Sequence, residues 1–224
     1  MIGIIAAMDV EVNALRELMN NVEIKNLRNV EFTTGLLSDK EVVLCQSGVG
    51  KVFAAISTTV MLDEFDIEYV INIGSAGSLD AKVRVGSVVI PKLIGHHDID
   101  VPGWDKGFVE TNKRLYHADA KLIERAKKLA DDKTYFGPMV SGESFIYLPS
   151  QTTKIINEFP GVVCCEMEGA AIAQVCDFMK VPCIVIRSIS DVTIEEGNEV
   201  SFEEFVKVAA KNSAKYCERF VKEN

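Results

Sequence analysis

Three apolar segments of this chain end in acids. Ile2–Ala7 runs into Met8, Asp9 and Glu11, and Val162–Cys165 runs into Glu166-Met167-Glu168. Cys183–Ile189, with Arg187 inside it, runs into Ser190 and Asp191. Open α/β sheets bind ligands beyond the carboxyl ends of their strands. Carboxyl groups placed there can hold or give up protons, the work of general bases and acids. Arg187 adds a constraint. In strand alternation Cys183, Val185, Arg187, Ile189 and Asp191 share one face, and a cation in so apolar a run is costly without a carboxylate partner. Glu11 and Asp191 are the candidates; a structural ion pair suits the spacing as well as a catalytic one. In Ile73-Gly74-Ser75-Ala76-Gly77 the glycines around Ser75 allow close backbone approach to a ligand, or simply a bend.

Other chemistries fit less well. Gly48-Val49-Gly50-Lys51 lacks the third glycine of a dinucleotide fingerprint, and Cys45 stands where a phosphate loop needs glycine. A tight turn with close packing is the simpler reading. His96-His97-Asp98-Ile99-Asp100 crowds metal-ligating types together, but nothing pairs with it at zincin spacing. No metal or other cofactor is expected, and no serine sits in a nucleophile elbow. A net charge of −9 argues against nucleic acid and mildly against phosphate or nucleotides as ligands. Six cysteines, none in a C-x-x-C pair, read as buried thiols of a reducing cytosol. The short apolar N-terminus is no signal peptide and no stretch would span a membrane, so a cytoplasmic protein without membrane partners is expected.

The elements that must position these residues alternate between strand and helix period. Strands are expected at Ile2–Ala7, Val30–Leu37, Glu41–Gln46, Tyr69–Ile73, Val83–Ile90, Thr134–Val140, Val162–Cys165 and Cys183–Ile189. Helices are expected at Val10–Met19, Val52–Phe65, Ala118–Asp131, Gln151–Asn157, Glu166–Met179 and Ser201–Lys222, the last with a serine cap. Ser38-Asp39-Lys40 marks a hairpin, and His96 to Tyr116 reads as a long loop. Nothing divides the chain, so residues 1–224 form one domain, large enough to bury roughly 70% of its unfolded surface. The fold class is three-layer α/β, a mixed central sheet flanked by helices.

Seven segments in one order make a more specific pattern: Ile2–Met8 with Glu11, Ser47–Lys51, Asn72–Gly77, Val140–Ile146, Glu166–Glu168, Arg187–Asp191 and Ser201–Phe205. Together they resemble the nucleoside phosphorylase/nucleosidase superfamily, most closely its bacterial methylthioadenosine/S-adenosylhomocysteine nucleosidases. The resemblance implies a nucleoside phosphorylase-like fold, a homodimer, and hydrolysis of the N-glycosidic bond of a small adenine nucleoside carrying a 5′-thioether. It implies that Asp191, oriented by Ser190, protonates adenine at N7, while Glu11 activates water with Arg187 and Ser75. Glu168 would bind the ribose hydroxyls, with Glu166 in the same motif, and Met167 would pack on the sugar. Phe145 would stack on adenine and the backbone of Ile146 would read its edge. Met8, Val49, Val101 and Phe202 would line the 5′ slot. Where relatives close that slot with a longer loop, this chain has Pro102-Gly103-Trp104-Asp105-Lys106-Gly107-Phe108; Trp104 is expected to fold over the 5′ substituent. A phosphorylase, a non-catalytic nucleoside-binding module, and a nucleosidase of futalosine type are the alternatives.

Overall fold

The computed structural model describes residues 1–103, 115–195 and 198–223, with the side chains of all of these except 198–201. The chain opens with β1 (Ile2–Ala6) and α1 (Asp9–Arg16), followed by β2 (Asn20–Leu27), β3 (Val30–Leu37) and β4 (Lys40–Gln46). Next come α2 (Lys51–Glu64) and the long β5 (Tyr69–Ser78). The middle holds β6 (Val88–Val89), β7 (Leu93–His96), β8 (Leu115–His117), α3 (Ala120–Lys128), β9 (Thr134–Tyr135) and β10 (Met139–Ser141). It ends with α4 (Pro149–Glu158), β11 (Cys164–Glu166), α5 (Gly169–Met179), β12 (Cys183–Val192) and α6 (Asn198–Lys222).

The described strands join in one mixed sheet that forks at β5. One edge of β5 runs parallel to β1 as far as Asn72, then pairs antiparallel with β11 at Gly77 and Ser78. Its other edge follows β12 throughout. Strand alternation distributes the side chains to two faces. Ile2, Ile4 and Ala6 join a core with Leu15 of α1, Leu122 of α3 and Phe220 of α6. Ile5 joins another with Met61 of α2 and Ile172 of α5. Ile4 and Ile5 are both fully buried, each contributing roughly 1.5–3 kcal/mol. Gly3 lets α2 rest directly on β1, since a Cβ there would lie 2.6 Å from Met61 Sδ. Helices on both faces make the three layers the sequence implies.

Several elements differ from expectation. β2 is an additional strand at the sheet edge, exposed except at Leu27; with neither face covered, no alternation marks it. It joins β3 through Arg28 and Asn29, both with positive φ, as are Ser38 and Asp39 in the expected hairpin to β4. Such pairs match the twist of the flanking strands. The segment Thr134–Val140 is two strands parted by Phe136-Gly137-Pro138, since β9 pairs β6 whereas β10 pairs β7 and β11. Only Val88–Val89 of the segment 83–90 is strand, after a turn at Gly86 with φ +86. β7 and β8 enter the stretch expected as loop, pairing antiparallel. α5 begins at Gly169 rather than Glu166, and α6 at Asn198 rather than Ser201.

Candidate active site

The fork leaves a gap. β1 ends at Ala6, and along that edge of β5 strand pairing lapses between Asn72 and Gly77. A cavity of about 270 Å³ opens there, at the kind of topological switch where α/β sheets take ligands. Glu11, in the first turn of α1, fills the break in pairing. Its Oε1 accepts from the Ser75 amide (3.0 Å) and hydroxyl (3.2 Å), its Oε2 from the amides of Ala7 and Met8 (both 3.1 Å). One buried carboxylate thus serves the approach to α1 and the unpaired edge of β5. Gly74 makes room: a Cβ there would lie 2.2 Å from Arg187 Nη1 and 3.0 Å from Glu11 Oε1.

Arg187 is fully buried in β12. Its Nη2 donates to Asn72 Oδ1 (2.6 Å) and to Glu166, its Nη1 to the Ser75 carbonyl (3.4 Å), and Glu168 Oε2 lies 3.7 Å away. The ion-pair partners are therefore Glu166 and, at longer range, Glu168, rather than Glu11 or Asp191. β11 meets the far end of β5 and carries the Glu-Met-Glu segment to the guanidinium, a pairing that spacing along the chain does not reveal. Burial disfavours the arginine's charge, but Glu166, Glu168 and Glu11 outweigh it and raise its pKa. Glu166 also accepts from the Ser141 hydroxyl and from the amides of Glu168 (3.0 Å) and Gly169 (2.9 Å), capping α5. Glu168 accepts from the Gly50 amide at 2.9 Å. Burial, reinforced by neighbouring Glu166, pushes its carboxyl up to about 8 despite Arg187.

Asp191 reaches the cavity through a bulge. Ile189 pairs with Ala76 and Asp191 with Gly77, so Ser190 is an extra residue. The simple alternation read from the sequence therefore ends at Ile189, and Ser190 and Asp191 both line the cavity. Ser190 Oγ donates to Asp191 Oδ1 at 2.8 Å. Apolar walls come from Met8, Val49, Phe145, Ile146, Met167 and Phe202. The rings of Phe145 and Phe202 meet edge to face, 5.2 Å between centroids. Val101 is exposed and does not line the cavity, and Trp104 lies outside the described residues. Ser144, Cys165 and Thr193 also line it without having been expected; they carry no distinctive signal. Asn72, which orients Arg187, did carry one: a lone amide in a buried strand must have a partner.

The remaining motifs resolve simply. Gly50 and Lys51 open α2, but a phosphate loop's amides are here given to carboxylates, Gly50 to Glu168 and Lys51 to Glu143 Oε1 (2.9 Å each). His96 bonds Gln174 through Nε2 (2.9 Å), and burial lowers the pKa of both His96 and His97. No group of three potential metal ligands occurs among the described residues. All six cysteines are free and buried. No described helix is long and apolar enough to cross a membrane.

Buried acids from the first turn of α1, the end of β11 and the end of β12 line one cavity with the Arg187 guanidinium and an aromatic wall, the arrangement of an α/β enzyme that takes a small ligand. Residues 1–222 match the family described as Phosphorylase superfamily. A 5′-methylthioadenosine/S-adenosylhomocysteine nucleosidase of a Marinomonas species is 42% identical, covering 100% of this chain and 99% of its own. The crystal structure of the corresponding Neisseria meningitidis nucleosidase, in complex with methylthio-immucillin-A, superposes with a TM-score of 0.95 at 38% identity, covering 100% of this chain and 99% of the other. A futalosine hydrolase mutant of Helicobacter pylori superposes at 0.94 with 30% identity, covering 100% and 99%. The chain belongs to the phosphorylase superfamily, within its family of 5′-methylthioadenosine/S-adenosylhomocysteine nucleosidases.

Proposed function

We propose that this protein hydrolyses the N-glycosidic bond of 5′-methylthioadenosine and S-adenosylhomocysteine, releasing adenine and the 5-thio-substituted ribose. The observation that carries the choice of water over phosphate is charge. Among the described residues lining the cavity, Arg187 is the only cation, and its charge is already met by Glu166, while Glu11 adds a further carboxylate. A phosphate anion would meet net repulsion there, whereas a neutral water and a sugar turning cationic are favoured.

Water attacks the ribosyl C1′, losing its proton to Glu11, while Asp191 protonates adenine N7 and the C1′–N9 bond breaks. The Ser75 hydroxyl bond to Glu11, at 3.2 Å the longest of that carboxylate's four, is the one an incoming water can share. Arg187 completes the water site. Glu168 takes the ribose hydroxyls and Met167 packs on the sugar; Phe145 and the Ile146 backbone hold the base; Met8, Val49 and Phe202 receive the 5′ substituent. This division between an acid at the leaving group and a base at the water parallels that of glycosidases. The reading takes residues 1–224 as one domain acting in the cytoplasm as a homodimer, in methionine salvage. Likeness to the futalosine hydrolase makes a futalosine-type nucleoside the second substrate to test. A panel of 5′-substituted adenosines and futalosine, incubated without phosphate, should release adenine fastest from the 5′-thioethers; base release only from futalosine, or none, overturns the assignment.

A further inference from the structure

Three residues far apart in the chain close a ring at the cavity rim. Lys51 Nζ bonds Asp98 Oδ1 at 2.6 Å, Asp98 Oδ2 accepts from the Glu143 amide at 2.9 Å, and Glu143 Oε1 accepts from the Lys51 amide at 2.9 Å. Lys51 begins α2, Asp98 follows β7, and Glu143 stands directly before Ser144-Phe145-Ile146, which line the cavity outside any helix or strand. Gly50, next to Lys51, gives its own amide to Glu168 at 2.9 Å. Gly50 has φ +100, and a Cβ there would sit 2.7 Å from Glu143 Oε2, so glycine is what allows the ring to form.

The ring lies at the edge of the cavity rather than in the hydrophobic cores. Lys51 and Asp98 keep 16% and 28% of their side chains exposed, so solvent still screens part of their attraction. The N-terminal amides of α2 could be capped by a local serine or aspartate; here a carboxylate from the cavity segment does it. From this geometry we infer that Asp98, with Lys51, is a positioning residue: it clamps the 143–146 segment against α2, so that the base-holding wall and the Glu168 carboxylate share one support. Asp98 touches no substrate; it acts through the Glu143 backbone and, beyond it, Phe145 and Ile146. The inference rests on the proposed function, which gives those two residues to the base.

The test separates positioning from folding by splitting KM from kcat. Asp98→Ala removes both acceptors and should raise KM for 5′-methylthioadenosine about tenfold, the scale set by losing a charge-assisted hydrogen bond. The change in kcat should stay within about threefold, and the thermal midpoint should fall by no more than a few degrees. Inhibition by free adenine should weaken by the same factor as KM rises, whereas inhibition by the thioribose product stays unchanged. Asp98→Asn retains an acceptor for the Glu143 amide and should recover most of the loss. Lys51→Met, which keeps the backbone amide, should give a smaller rise in KM. A lowered kcat with normal KM and normal adenine inhibition overturns the clamp, because that is the mark of a smaller folded fraction. If Asp98→Ala does not fold, wild-type KM in Lys51→Met overturns it equally. Wild-type protein that releases no adenine refutes the proposed function itself; wild-type activity with unmoved variants refutes the clamp alone.

Discussion

Glu168 sits among charges that reverse the usual behaviour of a carboxyl group. Burial and the neighbouring Glu166 push it up to about 8, so between the ordinary carboxylate range and about pH 8 the folded protein holds a proton that the unfolded chain releases. Stability contributed by this site is therefore present at low pH and falls as pH rises through that window, opposite to a paired carboxylate. Glu168→Gln keeps an acceptor for the Gly50 amide and removes the ionisation. It should melt a few degrees above wild type at pH 9, the shift roughly 1 kcal/mol produces in a chain of this size, with the difference closing towards pH 5. Parallel melting profiles across that range would show that Glu168 ionises freely. Asp191 carries a different expectation. As the leaving-group acid, its replacement in Asp191→Asn should lower turnover by ~10²–10⁴-fold. The side chain sits on a bulge at the end of β12, so circular dichroism should report an intact fold. Near-normal adenine release from this variant would remove Asp191 from the acid's role.

At the scale of elements, β5 decides the site: one strand pairs β1, β11 and β12, and the lapse in pairing between β1 and β11 is where Glu11 and Arg187 converge. Gly74 lies within that lapse. Gly74→Ala places a Cβ 2.2 Å from Arg187 Nη1, an overpacking that typically costs about 1–3 kcal/mol, and it should displace the guanidinium. Both the thermal midpoint and turnover should drop; wild-type values for both would show the packing there to be slack. Much of this was legible in the chain. β1, the β3–β4 hairpin and β12 are apolar runs bounded by turn residues, so their period is unambiguous. β2 was hidden because it is exposed on both sides, and the second half of β5 because Gly-Ser-Ala-Gly has the composition of a bend. Met8, Glu11, Ser75, Arg187 and Asp191 were named from strand ends and family likeness, and all line one cavity. The partner of Arg187 was misassigned because strand adjacency between β5 and β11 is a long-range property that spacing does not encode. Val101 was named by likeness to relatives and lies outside the cavity wall; the Asp98 clamp was missed because its members lie 47 and 45 residues apart.

The whole molecule carries a net charge of −9, and the cavity at the fork of the sheet concentrates acids in the same sense, which suits the uncharged nucleoside of the proposed reaction. Another surface bears on assembly: Val52, Phe53 and Ile56 of α2 are half to two-thirds exposed, an apolar face of the kind that can seat a partner. Val49, two residues before the same helix, lines the cavity and is half exposed, so a second copy seated on α2 would border the proposed 5′ slot. Sedimentation should give a dimer for the wild type and a monomer for Phe53→Glu; a wild-type monomer contradicts this interface. The central claim, that water and not phosphate takes the ribosyl carbon, has a direct test. The protein is incubated with 5′-methylthioadenosine in phosphate-free buffer and again in saturating phosphate, and the sugar product is identified by mass. Adenine release at equal rates, with free 5-methylthioribose in both, is the predicted result; a sugar 1-phosphate as main product, or a rate that rises with phosphate, contradicts it.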